Sequence, residues 1–225
     1  MIEKLSEKEA RSRRRSRRHA ISPSVSLRRH FVALARQVND WRQASLSRPG
    51  SAMRLGVTSL SSGAGRSTVS FNLAVSLASL NRSQVLLVES DFGKHYVTRR
   101  LGYSRSSGLS ELIAGEVELS DIIHPTPLAR LSVVGSGQKS DQDAIELPFT
   151  DFAKPFDIQA SEFGSIVFDL PMANHLTAFH AIAPHLDGVL LTVESNQIEP
   201  RLVERFRRQL DVQGVPIVGL VVNKS

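Results

Sequence analysis

Six short runs rich in Val, Ile and Leu alternate along this chain with segments of helical periodicity, and this alternation restricts the fold more than any other feature. The runs span 54–59, 84–89, 131–134, 165–169, 188–193 and 216–222, and helical patterns cover 67–80, 110–114, 176–183 and 199–212. Most of the runs are apolar at successive positions, as strands covered on both faces are. Strand and helix in regular succession predict an α/β fold, a mostly parallel sheet with helices on both faces. Crossovers of this kind are right-handed, and ligands bind beyond the carboxyl ends of the strands.

The 225 residues, 41% of them apolar, suffice for one sizeable core. With no cysteine, a disulfide-stapled fold and a cysteine zinc site are excluded. The net charge of +6 is unevenly spread: residues 1–50 carry 13 Lys+Arg against 4 acids, net +9, and residues 51–225 carry 15 against 18, net −3. Three parts follow. Residues 1–25 form an arm whose Arg11, Arg13, Arg14, Arg15, Arg17 and Arg18 leave too little apolar surface to order it. Within 26–50, Phe31, Leu34, Ala35, Val38 and Trp41 recur at helical spacing, which predicts an amphipathic helix over 26–45 seeking a partner, ended by Arg48-Pro49-Gly50. Residues 51–225 make the globular domain. No stretch approaches about 20 consecutive apolar residues, and no apolar segment follows the basic N-terminus, so the expectation is a soluble, cytoplasmic protein.

The chemistry concentrates where the first run meets the first long helix. Leu55-Gly56-Val57-Thr58-Ser59 leads into Leu60-Ser61-Ser62-Gly63-Ala64-Gly65-Arg66-Ser67-Thr68. A strand, a small glycine-containing loop and a helix N-terminus aim backbone N–H groups and partial positive charge at one point, which suits a phosphate. Gly63 and Gly65 permit the dihedrals of such a loop, and the Ser67 hydroxyl stands where such loops ligate Mg²⁺; the lysine of the pattern is replaced by Arg66. A Gly/Ser-rich turn without a ligand is the plain alternative. Two further runs end in acids, Glu89 and Asp91 after Val85-Leu86-Leu87-Val88, and Asp169 after Ile166-Val167-Phe168. Solvated turns or helix caps also place acids there, but a phosphate loop and carboxylates on one sheet edge are read more economically as a nucleotide–Mg²⁺ site.

These segments occur in order with Asn72-Leu73-Ala74, Gly108-Leu109-Ser110-Glu111-Leu112-Ile113-Ala114-Gly115, Phe168-Asp169-Leu170-Pro171 and Val221-Val222-Asn223. From 51 to 224 the sequence thereby resembles the bacterial polysaccharide-biosynthesis tyrosine kinase domain, a branch of the MinD/ParA-type P-loop ATPases. The resemblance implies a P-loop NTPase fold and ATP or ADP with Mg²⁺. It also implies work beside a membrane polysaccharide chain-length regulator or export protein, at the inner face of the cell membrane. It places Gly63, Ala64, Gly65, Arg66, Ser67 and Thr68 around the phosphates and Asn223 near the adenine. Ser67, Glu89 and Asp169 fall at the metal, and Arg66, Glu89, Asp91 and Asp169 at the reacting centre. A self-associating helix before the first strand is implied too, which Phe31, Leu34, Val38 and Trp41 would supply for a homo-oligomer.

The departures concern charge. Arg66 replaces Lys, Glu89 replaces Asp, and Ser62 and Ala64 replace Pro and Glu. A guanidinium is planar and wide where an ammonium is a point charge. Charge lost at a transition state costs on the order of 3–4 kcal/mol, and a carboxylate displaced by a methylene on the order of 100-fold. The family's terminal tyrosine cluster has no counterpart, since the two tyrosines are Tyr96 and Tyr103. The reading is a nucleotide-binding, catalytically weak or inactive relative regulating exopolysaccharide or capsule synthesis or export. The alternatives are an active ATPase or protein tyrosine kinase of the same family, and a ParA/MinD-like ATPase associated with DNA or membrane. Ser61 argues against the last, because those branches carry an extra lysine there. The arm would gain about 1 kcal/mol per arginine at an anionic membrane surface, would also attract nucleic acid, or would stay solvated. No interleaved aromatics support sequence-specific nucleic-acid binding, and the seven histidines show no metal-ligand spacing.

Overall fold

The computed structural model describes residues 25–45, 51–92, 95–103, 106–140, 143, 147–158, 161–173, 176–195 and 199–223. The arginine-rich arm and the Arg48-Pro49-Gly50 break lie outside them. Seven strands form one sheet: β1 (Met53–Ser59), β2 (Gln84–Glu89), β3 (His124–Pro125), β4 (Leu131–Val134), β5 (Phe163–Asp169), β6 (Gly188–Glu194) and β7 (Ile217–Asn223). Their spatial order is β3-β4-β2-β5-β1-β6-β7, and every pairing is parallel except that of β3 with β4. All six apolar runs are strands. The seventh, β3, is a two-residue edge containing a proline, too short to leave a pattern in sequence.

Helices cover both faces, and the two-residue period of the strands shows how. Val85 and Leu87 of β2 point into one apolar cluster, Leu86 and Val88 into the other. The first cluster is closed by α1 (Val25–Ser45), α2 (Arg66–Leu80) and Val97 of α3 (Tyr96–Leu101). The second is closed by α4 (Leu109–Ile113), α5 (Leu119–Ile122), α6 (Ala153–Ile158), α7 (Leu176–Ile182) and α8 (Pro200–Val212). The helices at α3, α5 and α6 were not expected, because four to six residues span less than two turns and show no helical period. Among the described residues no helix is long and apolar enough to cross a membrane.

The amphipathic helix α1 finds its partner within the chain. Phe31, Ala35 and Val38 are buried in the same cluster as Met53, Leu55 and the apolar face of α2. Asn39 Nδ2 donates to Asn81 Oδ1 at 3.0 Å where α2 ends, and a Cβ at Gly188 of β6 would come within 3.0 Å of the Trp41 ring. The apolar stripe of α1 thus covers α2 and the sheet, so Phe31 and Val38, expected at a self-association face, are spent within the chain's own core. Phe31→Ala is expected to destabilise the chain by about 3 kcal/mol, read by urea unfolding. A loss below about 0.5 kcal/mol, typical of a surface change, would mean that α1 contributes nothing to the core.

Candidate functional site

β1, β5 and β2 end side by side. Val57 is paired with Asp169 and Asp169 with Glu89 across the sheet, so the chain leaving each strand reaches the same edge. From β1 it turns through 60–65 into α2. Gly63 and Gly65 have positive φ, +88° and +78°, a region that side chains rarely occupy. A Cβ on Gly65 would collide with the amide of Asn223, which donates to the Ala64 carbonyl at 3.4 Å. Asn223, at the end of β7, thus lies against the back of the loop. No side chain caps α2 at Gly65, which leaves the first N–H groups of a 15-residue helix turned toward the loop, as a phosphate requires.

Arg66, the first residue of α2, turns inward. Its guanidinium pairs through Nη2 with Asp91 Oδ2, and its Nε lies 3.5 Å from Asp169 Oδ1. Arg66, Asp91 and Asp169 are 5%, 7% and 0% exposed, so the three charges form a buried cluster. Ser70, one turn further along α2, donates to Asp169 Oδ1 at 2.8 Å, while Asp169 Oδ2 is buried without a hydrogen-bond partner among the described residues. Burial pushes Asp169 up to about 6, against the pull of the Arg66 charge and of the Ser67 and Ser70 hydroxyls. Thr68 Oγ1 lies 3.5 Å from the Tyr96 hydroxyl at the start of α3.

Glu89 has another task. Its Oε1 accepts from Val97 N at 2.7 Å, and its Oε2 accepts from Thr98 Oγ1 at 2.7 Å and Thr98 N at 3.3 Å. It serves as the N-terminal anion of α3, the helix-cap alternative for an acid at a strand end. Burial raises its pKa, opposed by these three hydrogen bonds. The site expected to hold Mg²⁺ therefore keeps Ser67 and Asp169, while both Glu89 oxygens are engaged and a guanidinium stands against Asp169. Among the described residues no three acidic or histidine side chains are grouped to hold a metal ion. The loop fits a phosphate, and the donor set as arranged does not fit Mg²⁺.

Sequence reasoning missed Ser70 and Glu111. Glu111 is buried and accepts from Gly108 N at 2.8 Å, Ser110 Oγ at 2.9 Å and Gln138 N at 3.1 Å. It fixes the chain beyond β4 beside α4. The signal was present, since Glu111 sits inside the quoted Gly108–Gly115 segment, and Ser70 follows Arg66 at helical spacing. His95 Nδ1 and Ser136 Oγ are 2.6 Å apart on the same rim.

Asp169 binds its proton more tightly folded than unfolded, so ionising it costs stability. The cost is absent below about pH 4, grows as the pH rises toward 6 and is complete above it. Asp169→Asn is expected to gain stability relative to wild type between about pH 4 and about pH 7, on the order of 3 kcal/mol for such a shift. Urea unfolding at the two pH values reads it, and a difference independent of pH would refute it.

No family model matches the chain. By sequence it is 29% identical over 171 residues to the tyrosine-protein kinase CpsD of Streptococcus agalactiae, covering 76% of this chain and 74% of that one. With the tyrosine-protein kinase wzc of Salmonella typhi it shares 25% over 167 residues, 74% of this chain but 23% of that protein. By structure, the kinase domain of the Escherichia coli tyrosine kinase ETK superposes with a TM-score of 0.74 at 22% identity, over 86% of this chain and 75% of that one. MinD of Pyrococcus horikoshii, solved with Mg-ADP, gives 0.62 at 20% identity over 76% and 70%. The mostly parallel seven-stranded sheet with its helices is thus that of the P-loop NTPases. In sequence the chain is thus similar to bacterial tyrosine-protein kinases, and its neighbours in fold include a tyrosine kinase domain and MinD cell-division ATPases.

Proposed function

We propose that this chain binds ATP or ADP at its 63–68 loop, transfers phosphoryl groups slowly or not at all, and regulates exopolysaccharide or capsule synthesis beside a membrane export protein. One observation carries the reading: the Arg66 guanidinium is paired with Asp91 and Asp169 inside the fold instead of being free for a nucleotide. Phosphoryl transfer depends on positive charge held against the β- and γ-phosphates and on a metal bridging them. Here the cation of the loop is engaged by carboxylates, and Glu89 is turned to α3. Nucleotide binding itself draws support from the uncapped start of α2 behind Gly63 and Gly65 and from the MinD neighbour solved with Mg-ADP. The role in polysaccharide export rests on the tyrosine kinase relatives, and a place at the inner membrane face rests on the arm's six arginines. An active ATPase or kinase of the same kind is the second reading, favoured by the Ser67 hydroxyl lying close enough to Asp169 to pull its pKa down.

Steady-state ATP hydrolysis by the full chain decides between the two. Wild type is expected at background, and Arg66→Lys is expected to raise turnover, by up to on the order of 100-fold if charge at the transition state is what is missing. Rapid wild-type turnover that Asp169→Asn abolishes would establish the enzyme instead.

A further inference from the structure

We infer that Arg66 is the built-in cation of this site: its guanidinium occupies the position between Asp91 and Asp169 that a divalent metal would need, so the site works without Mg²⁺. The inference deepens the proposed nucleotide site and rests on that reading for its ligand, but the substitution of cation for metal stands on the chain's own geometry.

Two carboxylates, 7% and 0% exposed, meet the same guanidinium at the end of the sheet, one after β2 and one closing β5. Buried carboxylates need a compensating charge. Arg66 supplies it from two separate atoms, Nη2 to Asp91 and Nε toward Asp169. A metal ion entering between Asp91 and Asp169 would have to displace this group, and breaking a buried pair leaves a charge stranded in the interior, one of the costliest single changes a fold can suffer. The third acid that could recruit a metal is withdrawn: Glu89 accepts three hydrogen bonds from α3, and none of its oxygens is left over for the cluster. Geometry also favours the guanidinium, because its planar fork spans two acids where an ammonium meets one. Two atoms of the cluster make no hydrogen bond, Asp169 Oδ2 and Arg66 Nε, so the pair at Asp169 is held by charge more than by directed bonding. This is the side at which a competing cation would enter if Arg66 were removed.

The test uses the full chain and Mn²⁺ alone, with thermal unfolding and the electron paramagnetic resonance signal of free Mn²⁺ as readouts. Wild type is expected to leave the Mn²⁺ signal and its own melting temperature unchanged. Arg66→Met is expected to melt lower and to recover with Mn²⁺ as the ion enters between Asp91 and Asp169; Arg66→Met/Asp91→Asn, with one acid removed, is expected to lose that recovery. Should Arg66→Met fail to fold, Arg66→Lys serves, with a smaller loss and a smaller recovery. Mn²⁺ binding by wild type that Asp169→Asn removes overturns the inference, as does a variant without Arg66 that melts like wild type. In a separate arm, calorimetric titration with ADP is expected to give dissociation constants within about threefold, under about 0.7 kcal/mol, in Mg²⁺ and in EDTA. Tightening by Mg²⁺ on the order of 100-fold overturns the inference as well. Absence of ADP binding in both buffers would sink the proposed nucleotide site and leave the Mn²⁺ result to decide the cation.

Discussion

A guanidinium can be buried only where carboxylates meet it, because its hydration has to be replaced by charge and hydrogen bonds. In this chain that requirement ties together the first residue of α2, the end of β5 and the turn after β2, three places far apart in sequence and adjacent only because the strands are parallel and in register. One cation serves two acids, so the cluster has surplus negative charge. Two features relieve it. Asp169 holds its proton up to about 6, and Glu89, beside Asp169 in the sheet, gives its oxygens to α3. Three carboxylates aimed at one guanidinium would not be a stable interior.

The rim of the site is built by one device used twice. α3 is six residues long and begins at His95, a non-glycine residue with φ +45°. A helix this short does not persist unaided, and a buried carboxylate accepting its first N–H groups holds it in place. Glu111 does the same for the chain beyond β4, tying Gly108, Ser110 and Gln138 together. Gly108 can approach this closely because a Cβ there would strike the Gly135 carbonyl. Both carboxylates thus hold the rim together through hydrogen bonds to backbone and hydroxyl groups.

The sheet was legible because burial on both faces writes continuous apolar runs, and six of its seven strands follow from them to within a residue or two at each end. The loop was legible too: Gly63, Gly65 and Ser67 announce it, and the paired ends of β1, β2 and β5 follow from parallel order. What escaped depended on direction, not residue type. Nothing in the spacing of Glu89 and Val97 foretells that one carboxylate will cap a helix eight residues later, since the turn between them has no period. The stripe on α1 was plain, but an amphipathic face does not say what covers it, and the cover proved to be α2. Arg66 was located correctly in the chain; its choice of carboxylates over the loop was hidden, because that depends on how far β2 and β5 carry their acids.

The exchange of lysine for arginine in the loop therefore concerns more than the phosphate contact. An ammonium at that position would satisfy one acid at a time and could be drawn off by a phosphate, leaving the other acid for a metal. The guanidinium reaches Asp91 and Asp169 from separate nitrogens, so one pairing both draws the cation away from the loop and fills the space between the two acids. The shape of the loop is independent of it, fixed by the positive φ of Gly63 and Gly65 and by the Asn223 amide behind them. The backbone geometry of the loop and the charge cluster beneath it are thus set by different residues, so a change in one leaves the other in place.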